Sequence, residues 1–276
     1  MSSAVLATVA SYAARHAGGN APDSTEQARA LTVLEEESAE FRAATLRQFH
    51  ATAETWYPQW WGTPGARCAI TGVDESARLN TGELVSITSL AVDLDGDGTF
   101  ETALVENTDY RVHVSREPDE HREWIWLDPN GTQLASWPVE PRRIRITGVR
   151  GWSYEVEDTG QTVQNATQIS AGGTALTVTS NAGISIGETL KIESEQVYVS
   201  AKDSTTGLTI ERAVNGTTAA AHANGTTIYR RRYPRQVEAA VRDRAGMRDG
   251  RMDPDEERTA FARYMRTVAA FRKVVV

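Results

Sequence analysis

The sequence predicts an α+β fold, with helices at both ends, a central antiparallel β region, and a small β-barrel or sandwich module inserted before the last helices. Three patterns predict it. Apolar residues recur at three/four spacing near the start (Ala28, Leu31, Leu34, Phe41, Thr45, Phe49) and at the end (Phe261, Met265, Val268, Phe271, Val275), the period of a one-faced helix. Between residues 84 and 152, β-type runs are broken by turn clusters such as ENTD and DPNG. Between residues 169 and 232, four period-two pairs stand out: Leu176/Val178, Leu190/Ile192, Val197/Val199 and Leu208/Ile210. Gly172-Gly173, Ile186-Gly187, Thr206-Gly207 and Asn215-Gly216 supply the turns between them.

Taken in order, residues 1–22 read as a short helix or a flexible start. Residues 23–55 read as one long helix, helical to about Ala53, with Ser24 and Gln27 as a capping box and Glu26 at the positive end. Glu35, Glu36, Glu37 and Glu40 read as a solvated face. Residues 56–154 form the β region. It opens on the loop WYPQWWGTPG, and Trp124, Trp126, Trp137 and Trp152 suggest a shared aromatic core. Within it, Ile144 and Ile146 alternate with Arg143, Arg145 and Thr147, as on a half-buried strand. Residues 155–168 are polar and read as a linker, and residues 169–232 as the β module. Residues 233–276 turn helical: Pro234 sits near a first helical position, Gly246 and Gly250 bracket a break, and Asp253 with Glu256 caps the last helix.

The 276 residues carry a net charge of −8, unevenly distributed. From residue 230 onward there are 13 Lys/Arg against 7 Asp/Glu, so an acidic body carries a basic end. Nearly all the cations are arginine, with lysine only at Lys191, Lys202 and Lys273; the arginine fork suits carboxylate pairing at interfaces. No apolar run reaches the roughly 18 residues that span a bilayer. The first residues lack the basic start of a secretory signal. Cys68 is the single cysteine, so no intrachain disulfide forms, and a reducing cytoplasm is the expected place of synthesis.

The search for chemistry returns two weak constellations. Asp93, Asp95, Asp97 and Gly98 match the first half of a calcium loop, with Glu101 at the ninth position. The twelfth position is Leu104, where a bidentate glutamate is needed, and strands flank the loop, so an Asp/Gly hairpin turn explains it better. Glu193 and Glu195 share a strand face as a carboxylate pair, but nothing positions a substrate beside them. There is no nucleophile elbow, HExxH or phosphate-binding loop. His16, His50, His113, His121 and His222 are scattered, and His121 lies in a charged loop. The sequons at Asn130, Asn165, Asn215 and Asn224 read as turns. An enzyme is not expected, and neither is any cofactor.

The phrase VNGTTAAAH (residues 214–222) resembles a β module of tailed-bacteriophage structural proteins. The segments ITSLAV (87–92), DYRV (109–112) and IRITGVRGW (144–152) resemble the β region of the head–tail connector (adaptor, head-completion) proteins of tailed phages, phage-like particles and gene transfer agents. The resemblance covers most of the chain from residue 23 onward. It implies a homo-oligomeric ring, a dodecamer, beneath a portal protein ring in the neck of a virion. Such a ring extends the channel through which double-stranded DNA passes without sequence recognition, and it offers a docking platform for further connector, stopper or tail proteins. It also implies that residues 253–276 insert into the portal through Phe261, Met265, Arg266, Val268, Phe271, Arg272 and Val275. Short connectors of this family are nearly all helical, whereas this chain carries two β regions. The alternatives are a virion fibre, decoration or carbohydrate-binding module using tryptophans such as Trp60 and Trp61, and a virion-associated hydrolase.

Overall fold

The computed structural model describes residues 5–16, 22–58, 78–112, 122–128, 130–138, 140–153 and 156–272. Trp60, Trp61, Cys68, His113, His121, Lys273 and Val275 lie outside the described residues. The α+β class holds, with helices at both ends and antiparallel sheets between them. The chain divides into two units, Ala51–Trp152 and a discontinuous one made of Met1–His50 and Ser153–Val276. The expected insertion is therefore reversed. The β module belongs with the helices, and the tryptophan-bearing sheet is the piece set into their chain. The two crossings meet, because Ser153 N donates to Phe49 O at 3.1 Å.

The first unit begins with α1 (Val9–His16) and α2 (Ser24–Thr45). The cap of α2 is Asp23 rather than Ser24: its carboxylate accepts from Glu26 N at 2.9 Å, and Gln27 turns back to Pro22 O. The helix stops at Thr45, short of the expected Ala53, because Leu46 turns left-handed and donates to Arg42 O. Its inner face is Ala30, Leu34, Glu37, Ser38, Phe41 and Thr45, so the expected stripe is shifted at its start and Ala28 is exposed.

The second unit, described by itself, holds β1 (Thr52–Trp56), β2 (Arg78–Val92), β3 (Thr102–Leu104), β4 (Tyr110–Val112), β5 (Arg122–Leu127) and β6 (Ile144–Arg150). The strands named pair antiparallel, in the order β1-β6-β2-β5-β4 with β3 on β2. Leu79, Leu90, Val92, Ile125, Ile144 and Ile146 form its core with Trp56 and Trp137. Trp124 and Trp126 flank buried Ile125 and point to the opposite face, half-buried, so the aromatic core is smaller than expected. Gly148 of β6 is fixed by close approach, since a Cβ there would collide with the Ser86 carbonyl.

The first unit resumes with β7 (Val156–Thr162), β8 (Gln168–Ile169), β9 (Ala175–Thr177), β10 (Thr189–Ile192), β11 (Glu195–Lys202), β12 (Gly207–Glu211), β13 (His222–Ala223) and β14 (Thr227–Arg231). Six strands run in the order β7-β14-β10-β11-β12-β9. A bridge between Val163 and Val178 joins the two ends of that path and closes a barrel. All four period-two pairs point into its core, beside Val163, Ile169, Ile184 and Ile228. The expected linker at residues 155–168 is a correction: it supplies β7 and the closing bridge, so the module begins at Val156.

Two helices finish the unit, α3 (Arg235–Arg248) and α4 (Pro254–Phe271). Gly246 lies inside α3 and breaks nothing; a Cβ there would meet the His16 ring of α1. Asp253 caps α4, accepting from Asp255 N and Glu256 N at 2.9 Å each. Its inner face is Ala260, Tyr264, Thr267, Val268 and Phe271. Tyr264 meets Phe41 at 5.8 Å between centroids, and Phe271 meets Phe49 at 6.0 Å. The barrel is tied to the helices by Val9 N to Ile186 O at 3.2 Å and by Tyr198 OH to Glu35 Oε1 at 3.1 Å.

Replacing Gly148 with alanine forces β6 away from β2 at Ser86. The expected loss is about 1–3 kcal/mol of stability, the usual range for overpacking, measured by denaturant unfolding. A variant as stable as the parent would contradict the close approach.

Candidate functional site

The Asp/Gly turn between β2 and β3 is closed on itself. Asp93, only 3 % exposed, accepts from Gly96 N at 2.6 Å and Gly98 N at 3.0 Å, and pairs with Arg143 at 3.3 Å. Asp95 and Asp97 accept from the amides two residues on, and Glu101 accepts from Leu94 N. Oxygens of Asp93, Asp95 and Glu101 lie within 4.8 Å of one another, while Asp97 stands apart from that set. Burial raises the Asp93 pKa, but the amides of Gly96 and Gly98 and the Arg143 guanidinium outweigh it and hold the carboxyl below its ordinary value. Backbone amides and Arg143 thus satisfy Asp93, while Asp95 and Glu101 stay exposed beside it. This is the chemistry of a hairpin tip.

The phrase VNGTTAAAH acquires a physical role around Glu195. This glutamate is fully buried at the start of β11. Arg212 meets it with Nε and Nη2, both at 2.7 Å. Ala213 N and Ala220 N donate to it at 3.0 Å each, and His222 Nε2 lies 2.8 Å away. Arg212 spends its remaining hydrogens on the carbonyls of Ser170, Gly173 and Ala220. Left-handed Ala213 and Asn215 and a 3-10 turn at Val214–Gly216 bend the loop around the carboxylate. Burial raises the Glu195 pKa; the hydrogen bonds from Arg212, Ala220, His222 and Ala213 overcome that and hold it down to about 2.

Glu193 and Glu195 do not share a strand face as a free pair. Glu193 sits in the β10–β11 turn with φ 52°, and the two carboxylates flank His222, with Glu193 Oε2 2.7 Å from Nδ1. His222 itself is 1 % exposed, so its ring is shut away from any substrate. The signal that the sequence reading missed was the ordering of Glu195, Arg212 and His222 along one short module.

The helices carry a second ionic system. Glu37, fully buried in α2, meets Arg244 at 3.5 Å and Arg248 at 3.1 Å. Burial raises its pKa, and the arginines oppose the rise without cancelling it. The expected solvated face holds for Glu36 and Glu40, which are exposed and pair with Arg248 at the surface, and is corrected for buried Glu37 and for half-buried Glu35, which takes Tyr198. Asp249 takes Arg29, Arg251 and Tyr12, and Asp243 takes Arg242 and Arg263.

An apolar groove of about 400 Å³ lies between α1 and the barrel, lined by Val9, Ala13, Ile184 and Ile186. Lys202 in its lining donates to the carbonyls of Asn181 and Ile184.

The terminal helix divides the contact residues implied by resemblance. Val268 and Phe271 face inward, a correction that follows from their places one and two helical turns beyond Tyr264. Phe261 and Met265 face outward, 44 % and 49 % exposed. Arg266 and Arg272 are exposed beside them. Arg244 lies 5.7 Å from the Phe261 ring and so backs this ridge from α3. No protein family, curated protein or solved structure matches the chain.

Glu195→Gln keeps the shape but leaves Arg212 without its counter-charge. The expected cost is about 3–5 kcal/mol, as for breaking a buried pair, read from chemical unfolding. In acid, the depressed Glu195 pKa gives a signed expectation. Its contribution is complete above the ordinary value of 4.5 and is lost as pH falls through about 2. Stability of the parent should therefore fall over that window, and Glu195→Gln should flatten the fall.

Proposed function

We propose that this chain is a structural head–tail connector (adaptor) of a tailed phage or phage-like particle. In this reading it forms a ring under the portal, extends the DNA channel, and presents a platform for further connector, stopper or tail proteins. The observation that carries the reading is the outer face of α4. A terminal helix, well capped and packed on its own bundle, still turns Phe261 and Met265 to solvent with Arg266 and Arg272 beside them. Exposed aromatic and thioether side chains flanked by arginine are the composition of an interface centre. The partner that fits is an apolar groove with acidic walls, as the portal ring would supply.

Other features agree with assembly rather than turnover. The buried glutamates and arginines neutralise one another inside the fold, and His222 is sealed between carboxylates. The net charge of −8 suits a wall along which DNA slides without adhering. The order of elements also fits the resemblance in the phrases at residues 87–92, 109–112, 144–152 and 214–222.

The test separates the outer face from the inner one. Removing residues 253–276 would strip Tyr264 from Phe41 and Phe271 from Phe49, so any loss of docking would be confounded with unfolding. Phe261→Ser with Met265→Ser changes only the exposed ridge. Thermal unfolding should be nearly unchanged, while affinity for the portal ring should drop by about tenfold or more. Particles made with this double variant should be DNA-filled heads without tails. Normal tailed particles, with portal affinity unchanged, would sink the assignment.

A further inference from the structure

The contact between α1 and α3 rests on a histidine in an unusual seat. The His16 ring lies against Gly246, where any side chain would collide with it. Its Nε2 is buried and meets no hydrogen-bond partner among the described residues. The Arg242 carbonyl accepts from the ring. A neutral imidazole suits this seat, because one nitrogen donates and the other needs no acceptor to be tolerated. An imidazolium does not: the N–H added at the buried Nε2 would have nothing among the described residues to receive it.

The surrounding charges are already committed. From α1 the ring faces Tyr12, 5.0 Å away, and Arg15. From α3 it faces Arg242 and Asp243. Asp243 is held by Arg242 at 2.9 Å and by Arg263 of α4 at 2.6 Å. Glu256 of α4 is taken by Arg15 at 3.4 Å. Burial and Arg15 lower the His16 pKa, Asp243 and the Arg242 carbonyl raise it, the Arg242 charge lowers it, and the balance falls below 6.5. A lowered histidine value has a definite sign. Its contribution to docking is complete above 6.5 and is lost as pH falls through the folded value.

We propose that α1 is an acid-released clasp, freed from α3 when the His16 ring gains its second proton. The helix has eight residues and few other anchors: Leu6 N to Ser38 Oγ at 2.9 Å, Val9 N to Ile186 O at 3.2 Å, and Tyr12 OH to Asp249 at 2.7 Å. Such an element opens locally, below the cost of global unfolding. Release uncovers the apolar seat of Val5, Leu6, Val9 and Ala13 on the barrel and helices. This inference stands independently of the connector reading.

Amide hydrogen exchange of the full chain tests it, comparing α1 with α2 between about pH 7.5 and about pH 5 after correction for intrinsic rates. In the parent, α1 exchange should rise relative to α2, on the order of tenfold for each unit by which the fold depresses the histidine. His16→Gln cannot charge and should remove that rise. Gly246→Ala should loosen α1 already at neutral pH, with α2 protection intact. Equal protection of α1 at both pH values, or an undiminished rise in His16→Gln, would overturn the proposal. Should the glutamine variant fail to seat α1, the His16 ring signals of the parent decide: titration at 6.5 or above also overturns it.

Discussion

The barrel depends on a buried ion pair that is fully hydrogen-bonded. Taking Glu195 and Arg212 out of water costs several kcal/mol each, and their mutual attraction repays that only when every remaining donor and acceptor is met. Here every arginine hydrogen and both carboxylate oxygens find partners. Those partners come from the β8–β9 connection, the start of β11 and the loop after β12. The pair therefore decides where three loops go. The apolar core decides that the strands close, and the ionic centre decides how the barrel is finished at that end. Its residues explain why the phrase after β12 reads as it does: left-handed positions at Ala213 and Asn215, a small residue at Ala220 with its amide turned inward, then His222.

The helices use the same device in a looser form. α2 and α3 carry weak apolar faces, and buried Glu37 and Asp243, with half-buried Asp249, sit between them and their neighbours. Arginine matches each of these carboxylates, from α2, α3 or α4. Much of the arginine bias of the last segment is matched by carboxylates of the helices, and exposed Arg258, Arg266 and Arg272 lie along the outer side of α4. Phe41, Phe49, Tyr264 and Phe271 supply the apolar seam that the charges frame.

Much of the fold could be read from the sequence where burial is one-sided and local. The barrel pairs Leu176/Val178 through Leu208/Ile210, the Asp253 cap and the Ile144/Ile146 alternation all follow from period and capping chemistry. The rest needed tertiary information. β7 is polar along most of its length and none of its residues is buried, so its sequence carries no period-two signal. Glu37 looked solvated because nothing local places Arg244 and Arg248 across from it. Gly246 looked like a helix break because the His16 ring that requires it lies more than two hundred residues away in sequence. On α4, Met265 lies about 100° of rotation from Tyr264 and Phe261 only about 60° from it, angles that a stripe of mixed apolar residues does not resolve. The Glu195 centre is half legible in the sequence: its acids stand together, but nothing local joins them to Arg212 and His222, which give them meaning.

The broken chain of the first unit has a consequence for biosynthesis. Tyr12 meets Asp249, and Arg47 meets the Phe271 carbonyl, across separations of 237 and 224 residues. At ribosomal rates of roughly 5–20 residues per second, the first two helices are made at least about 10 s before the last two that cover them. During that interval the sheet of Ala51–Trp152 has all its strands and can condense, while Phe41 and buried Glu37 wait without partners. A nascent-chain chaperone that shields short helices would find its client there, in the first fifty residues.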